Sequence, residues 1–185
     1  MKKNILRLSI IAATFCLSNV SNAGETLGTY EMQVTGTVIS ASSCLITAPN
    51  SLYFDIKDIH DIHYSSQGPQ EHAQLYPIEI SGCKKGMHVS ATVVGDSDTS
   101  NSELLSTHSE TAGSAQNVAI GFYEQTGYSQ HPLVALNSGH TTSRDINELG
   151  NAQIAIQADV VLADDHKFAT AGTISANANV QINFL

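Results

Sequence analysis

Basic residues are scarce in this chain of 185 residues. There are 8 lysines and arginines against 17 aspartates and glutamates, and Lys2, Lys3 and Arg7 lie together at the N-terminus. Beyond them, five basic groups face seventeen acidic ones, a net charge of −12. Such a surface repels nucleic acid and anionic membranes. No apolar run beyond the N-terminus is long enough to cross a bilayer. A sustained helical period and an internal repeat are both absent. There is no Gly-x-Ser-x-Gly elbow and no glycine-rich phosphate loop, and no carboxylate pair has a spacing that assigns a glycosidase. The turn Asp164-Asp165-His166 reads as solvated rather than catalytic.

The basic cluster opens a secretory signal. Residues 8–17 form a short apolar run, and Ser21-Asn22-Ala23 supplies a small-residue cleavage site, so residues 1–23 read as a signal peptide. Cys16 falls within it. Its neighbour Phe15 is too bulky for a lipoprotein signal, which leaves Cys44 and Cys83 in the exported chain. One cysteine pair in an exported protein reads as a disulfide closing a loop of about 40 residues, a stabilisation of about 3 to 4 kcal/mol.

The remaining residues, from Gly24, are enough for one domain with a sizeable core. They read as all-β. Strand-like runs cover 30–40, 52–56, 75–80, 87–94, 118–123, 133–136, 152–162 and 173–184, separated by clusters of Gly, Ser, Asn and Asp. Short strands at this spacing favour a two-sheet sandwich. The segment 95–114 reads as a polar loop in which Leu104 and Leu105 tuck a single turn against the sandwich.

The two ends of the exported chain carry the clearest alternation. Near the C-terminus Ile174, Ala176, Ala178, Val180, Ile182 and Phe184 share one face, and Ser175, Asn177, Asn179, Gln181 and Asn183 share the other. An apolar-faced strand with little chain after it leaves an edge that needs a partner. Near the N-terminus Gly28, Tyr30, Met32, Val34, Gly36 and Val38 lie on one face, and Thr29, Glu31, Gln33, Thr35 and Thr37 on the other. The opposite register would bury Glu31, a cost that no ordinary pairing offsets. This segment reads as a strand that leaves the domain, or as an unusually long first strand of it.

In order along the chain, several segments resemble a chaperone–usher fimbrial subunit of the type 1 pilin family. They are Thr35-Gly36-Thr37-Val38-Ile39-Ser40 leading to Cys44, then Tyr76-Pro77-Ile78-Glu79-Ile80-Ser81-Gly82-Cys83, then Ala115-Gln116-Asn117-Val118-Ala119-Ile120, and finally the glycine-led alternating run 171–184. Phe184 stands where the family usually has tyrosine, the segment after Leu52 lacks a glycine often seen there, and 60–70 is longer or more polar. The resemblance implies an incomplete immunoglobulin-like sandwich that lacks its final strand and is completed by a donor strand from a neighbouring subunit or a chaperone. It implies a signal peptide (1–23), an N-terminal donor-strand extension (24–34) and a pilin domain (35–185). Thr26, Gly28, Tyr30, Met32 and Val34 would be the donor residues. Ile174, Ala176, Ala178, Val180, Ile182 and Phe184 would line the acceptor groove and bind the chaperone. Cys44 and Cys83 match the family's disulfide.

The implied partners are a periplasmic pilus chaperone, an outer-membrane usher, other fimbrial subunits and, for the fibre, host receptors. The implied route runs through the periplasm to a cell-surface fimbria that supports adhesion, without a cofactor or enzymatic activity. An alternative within the class is a minor or adaptor subunit near the fimbrial tip; residues 24–34 leave no room for the lectin domain of a tip adhesin. Burial of Tyr30, Met32 and Val34 at about 1.5 to 3 kcal/mol each compares with a domain's whole net stability of about 5 to 15 kcal/mol. The isolated subunit is therefore expected to need a partner strand. Met32→Asp is expected to spare folding and chaperone capture, since the domain's own core would be untouched.

The eight histidines raise a different reading, a secreted β-sandwich metal-dependent enzyme. His60-Asp61-Ile62-His63 with His72 is the tightest group. His60 and His63 are three apart and no His-x-His pair is present, which does not build a site with three protein nitrogens. The group reads as solvated loop histidines, and no metal site is assigned.

Overall fold

The computed structural model describes residues 29–39, 44–107, 112–125, 134–137 and 142–184. The signal segment, Thr26 and Gly28 lie outside the described residues. In chain order the strands are β1 (Thr29–Ile39), β2 (Leu45–Thr47), β3 (Ser51–Asp55), β4 (His63–Tyr64), β5 (Gln74–Ser81), β6 (His88–Gly95), β7 (Leu105–Ser106), β8 (Val118–Glu124), β9 (Thr142–Asp145), β10 (Ala152–Leu162) and β11 (Ser175–Phe184). Two short 3-10 turns, Ile59–Asp61 and Ser65–Gln67, flank β4.

The strands form two sheets. One has the order β3-β1-β11-β6-β9, and the other β2-β5-β10-β8-β7, with β4 added alongside β10. Alternation decides which residues lie between them. Along β5, Tyr76, Ile78 and Ile80 are buried; along β10, Ile154, Ile156, Ala158 and Val160 are buried; along β6, Val89, Ala91 and Val93 are buried. They meet Phe54, Ile56 and the inward face of β11 in one apolar core.

Cys44 and Cys83 are disulfide-bonded, with Cα atoms 4.6 Å apart. The bond ties the start of β2 to the end of β5, which are themselves paired through Leu45 and Ser81. Gly150, at φ 79°, closes the turn beside it: Cys83 N donates to Gly150 O at 3.0 Å, and a Cβ at 150 would sit 2.5 Å from Cys83 O. Only glycine fits that approach.

Two sequence expectations are corrected here. Residues 133–136 do not show as a strand where they are described. Val134, Ala135 and Leu136 are all buried, and the backbone bonds of this segment scatter: Val134 N to Phe122 O, Leu136 N to Glu103 O, Asn137 N to Val93 O. Three consecutive buried residues ending in a left-handed Asn137 make a packed turn, because a strand needs one continuous ladder. The segment around Leu104 and Leu105 is likewise more than a single turn. Both leucines are fully buried, and β7 pairs with β8.

Candidate interaction site at the edge of the C-terminal strand

β11 behaves as its alternation requires. Ile174, Ala176, Ala178, Val180 and Ile182 are buried, Phe184 is half-buried, and Ser175, Asn177 and Asn179 are exposed. On one side β11 pairs antiparallel with β6, from Ala178–Gly95 to Phe184–Val89. On its other side lies β1 of the same chain, running parallel, with Met32 opposite Ala176, Val34 opposite Ala178, Gly36 opposite Val180 and Val38 opposite Ile182.

The place beside β11 is thus filled from within the chain. β1 also pairs antiparallel with β3, but only over Thr29–Gln33. It runs without a break across residues 34 and 35, so no structural boundary marks the end of the segment 24–34.

Met32 shows what β1 contributes. It is 1% exposed, while its neighbour Gln33 is exposed. Tyr76, Val93, Phe122, Ile156, Ala178 and Val180 enclose a residual gap of about 10 Å³ at Met32. Burial raises the Tyr76 phenol to about 12. Met32 therefore occupies an apolar slot between the sheets, worth about 1.5 to 3 kcal/mol of burial. This corrects the expectation that Met32 lies outside the domain's own core. Parallel pairing with β11 carries the side chain inward, so Met32→Asp would strike the free chain's core.

The family model for fimbrial proteins matches residues 32–184, from Met32 in this slot to the end of β11. The chain belongs to the fimbrial protein family. Among solved structures, the fimbrial subunit is similar to an antigen and type I fimbria protein of Burkholderia pseudomallei, with 22% identity over 85% of this chain and 97% of that one at a TM-score of 0.51. It is also similar to the P pilus rod subunit PapA, with 20% identity over 77% of this chain and 99% of that one at a TM-score of 0.45. The first likeness bears on the fold, an immunoglobulin-like all-β sandwich. No curated protein matches. The family is one of structural subunits, not enzymes, which displaces the reading of a secreted metal-dependent enzyme. The fimbrial subunit assembles with other pilus subunits at the cell surface. Among the described residues no helix is long and apolar enough to cross a membrane.

A second constellation was not legible in the fimbrial subunit's sequence. Asp159 of β10 points away from the sandwich core and is fully buried beneath the segment 56–74. Its Oδ1 accepts from Val160 N at 2.9 Å and lies 2.9 Å from His72 Nε2. Its Oδ2 accepts from Gln70 N at 2.8 Å and lies 3.5 Å from His63 Nε2. The Asp159 carboxylate, through its hydrogen bond, holds the His72 imidazole above its ordinary pKa. Tyr123 closes the group. Its hydroxyl donates to Ser65 O at 2.9 Å, and burial, reinforced by Asp159, raises its phenol. Gly121 leaves room for that ring, since a Cβ there would lie 2.9 Å from the Tyr123 oxygen. The histidines at 63 and 72 are therefore not solvated loop residues, whereas His60 and His166 are exposed. His108, His131 and His140 lie outside the described residues.

Proposed function

We propose that this fimbrial subunit polymerises by strand exchange at the edge of β11. The acceptor is the slot lined by Ala176, Ala178, Val180 and Ile182, with Ile174 and Phe184 at its ends. The donor is the segment 24–34 of another copy or of another subunit, with Thr26, Gly28, Tyr30, Met32 and Val34 facing the slot. The observation that supports this reading is the seat of Met32. A strand near the N-terminus completes the core through one edge, and an equivalent strand from elsewhere can take the same place. In the free chain β1 fills the slot itself and must leave before another strand enters.

A periplasmic chaperone would occupy the slot during export, and an outer-membrane usher would replace it with the next subunit's extension. Residues 1–23 would be removed on export, leaving 24–34 as the donor and 35–185 as the pilin domain. A chain lacking residues 24–34 should bind a synthetic peptide of that sequence and remain monomeric, while the full exported chain polymerises. If the truncated chain formed fibres at the full-length rate, the strand-exchange reading would be wrong.

A further inference from the structure

We propose that His63, His72 and Asp159 form a zinc site on the outer face of the second sheet, with a water as fourth ligand. Nothing in the strand-exchange reading requires it. The three ligand groups come from β4, from the turn before β5 and from β10, and their donor atoms all lie within 4.8 Å of one another. Asp159 is fully buried, and the two imidazoles are only 11% and 10% exposed.

Oxygen acceptors converge on both imidazoles. His63 Nε2 faces Gly68 O at 2.9 Å and Asp159 Oδ2 at 3.5 Å; His72 Nε2 faces Asp159 Oδ1 at 2.9 Å and Val160 O at 3.4 Å. A cation suits a buried centre where a carboxylate and two carbonyl oxygens gather around two imidazoles. Four-coordinate zinc with bonds of about 2.0 to 2.1 Å sets its ligands about 3.3 Å apart. The nitrogen–oxygen separations, 2.9 Å from His72 to Oδ1 and 3.5 Å from His63 to Oδ2, lie on either side of that value, one on each oxygen of the carboxylate. Small ring rotations would bring both nitrogens onto the metal.

The surroundings support the assignment. Zinc would displace the proton that His63 Nε2 shares with Gly68 O at 2.9 Å, and Nδ1, 3.3 Å from Asp61 O, would then carry the ring proton. A cavity of about 600 Å³ opens onto the pair of histidines, giving entry to the ion and room for the water. Asp55, Asp61 and Glu71 line it against a single lysine, Lys57, a balance that draws cations. Two imidazoles, one carboxylate and one water are a donor set that zinc accepts. Bound there, the ion fixes the segment 56–74 onto β10.

The purified, disulfide-intact chain tests this directly. After equilibration with zinc and removal of excess, elemental analysis should find one zinc per chain, and chelator should remove it. At a zinc concentration about 100 times Kd, Tm should rise by about 5 to 10 °C. Cobalt(II) in place of zinc should give the intense visible bands of a four-coordinate ion; this readout needs no variant. His63→Ala and His72→Ala should each weaken binding by more than about 100-fold, beyond the loss typical of an outer-shell residue. His60→Ala and His88→Ala should bind as wild type. Substoichiometric zinc, a six-coordinate cobalt spectrum in the wild-type chain, or undiminished binding in both ligand variants would overturn the site.

Discussion

The slot beside β11 and the cap over Asp159 are built on opposite principles. In the slot, Met32 meets apolar walls, and the strand that delivers it is held through one parallel ladder with β11 and a short antiparallel one with β3. In the cap, a buried carboxylate meets two imidazoles and the Gln70 N–H from the covering segment, and the N–H of its own neighbour Val160. Apolar burial is non-directional, so any strand with the right alternation can fill the slot. The polar cap is directional: each hydrogen bond fixes a particular atom, and no other segment can substitute. One region suits exchange of partners, and the other suits permanence.

The most damaging change should be Ile182→Asp. Ile182 is 3% exposed, with Val38 on one side and Ala91 on the other. A charge there should cost about 4 kcal/mol or more. Folded subunit should vanish from periplasmic extracts, and normal co-purification with a chaperone would contradict the acceptor role. Cys44→Ala comes next, losing about 3 to 4 kcal/mol of chain-entropy stabilisation. Urea unfolding should show the loss, and a reductant should destabilise wild type by a similar amount while leaving the variant unchanged.

Two substitutions of intermediate effect separate the regions. Asp159→Ala should lower stability by about 3 kcal/mol by stranding the donors that face the carboxylate. Fibres formed from the folded fraction should assemble at the normal rate. Met32→Ala should cost about 2 to 3 kcal/mol in the free chain, from lost burial and the cavity left behind. In a chain whose slot is already filled by a supplied donor peptide, that loss should disappear. If Met32→Ala were equally destabilising with and without the peptide, β1 would not be the exchangeable strand. At the small end, Lys85→Ala breaks the exposed pair with Glu148, at 2.8 Å, and should change stability by less than about 1 kcal/mol. Thermal unfolding in low and high salt would check it.

The two regions also differ in how far they could be read in advance. The burial of Ile174, Ala176, Ala178, Val180 and Ile182 follows from period two, and the structure follows it residue by residue. The runs that became β5, β6, β8 and β10 were legible for the same reason. The short strands β2, β4, β7 and β9 were not, because two to four residues give no measurable period. The cap was invisible from spacing. His63 and His72 are in view, but Asp159 lies on the polar side of an alternating strand, where period two by itself says nothing of a loop that covers it.

By itself the sequence determined the sheet class, the inward face of each long strand and, from one cysteine pair in an exported chain, the disulfide. These depend on local periodicity and residue chemistry, which a linear chain displays. Only the tertiary structure decided that β1 lies parallel to β11 within its own chain, placing Met32 in its own core. Only the tertiary structure, too, brought Asp159 under His63 and His72. Both are contacts between segments about 90 residues or more apart, set by how the sheets stack and by which loop covers which face, and no local pattern encodes that choice.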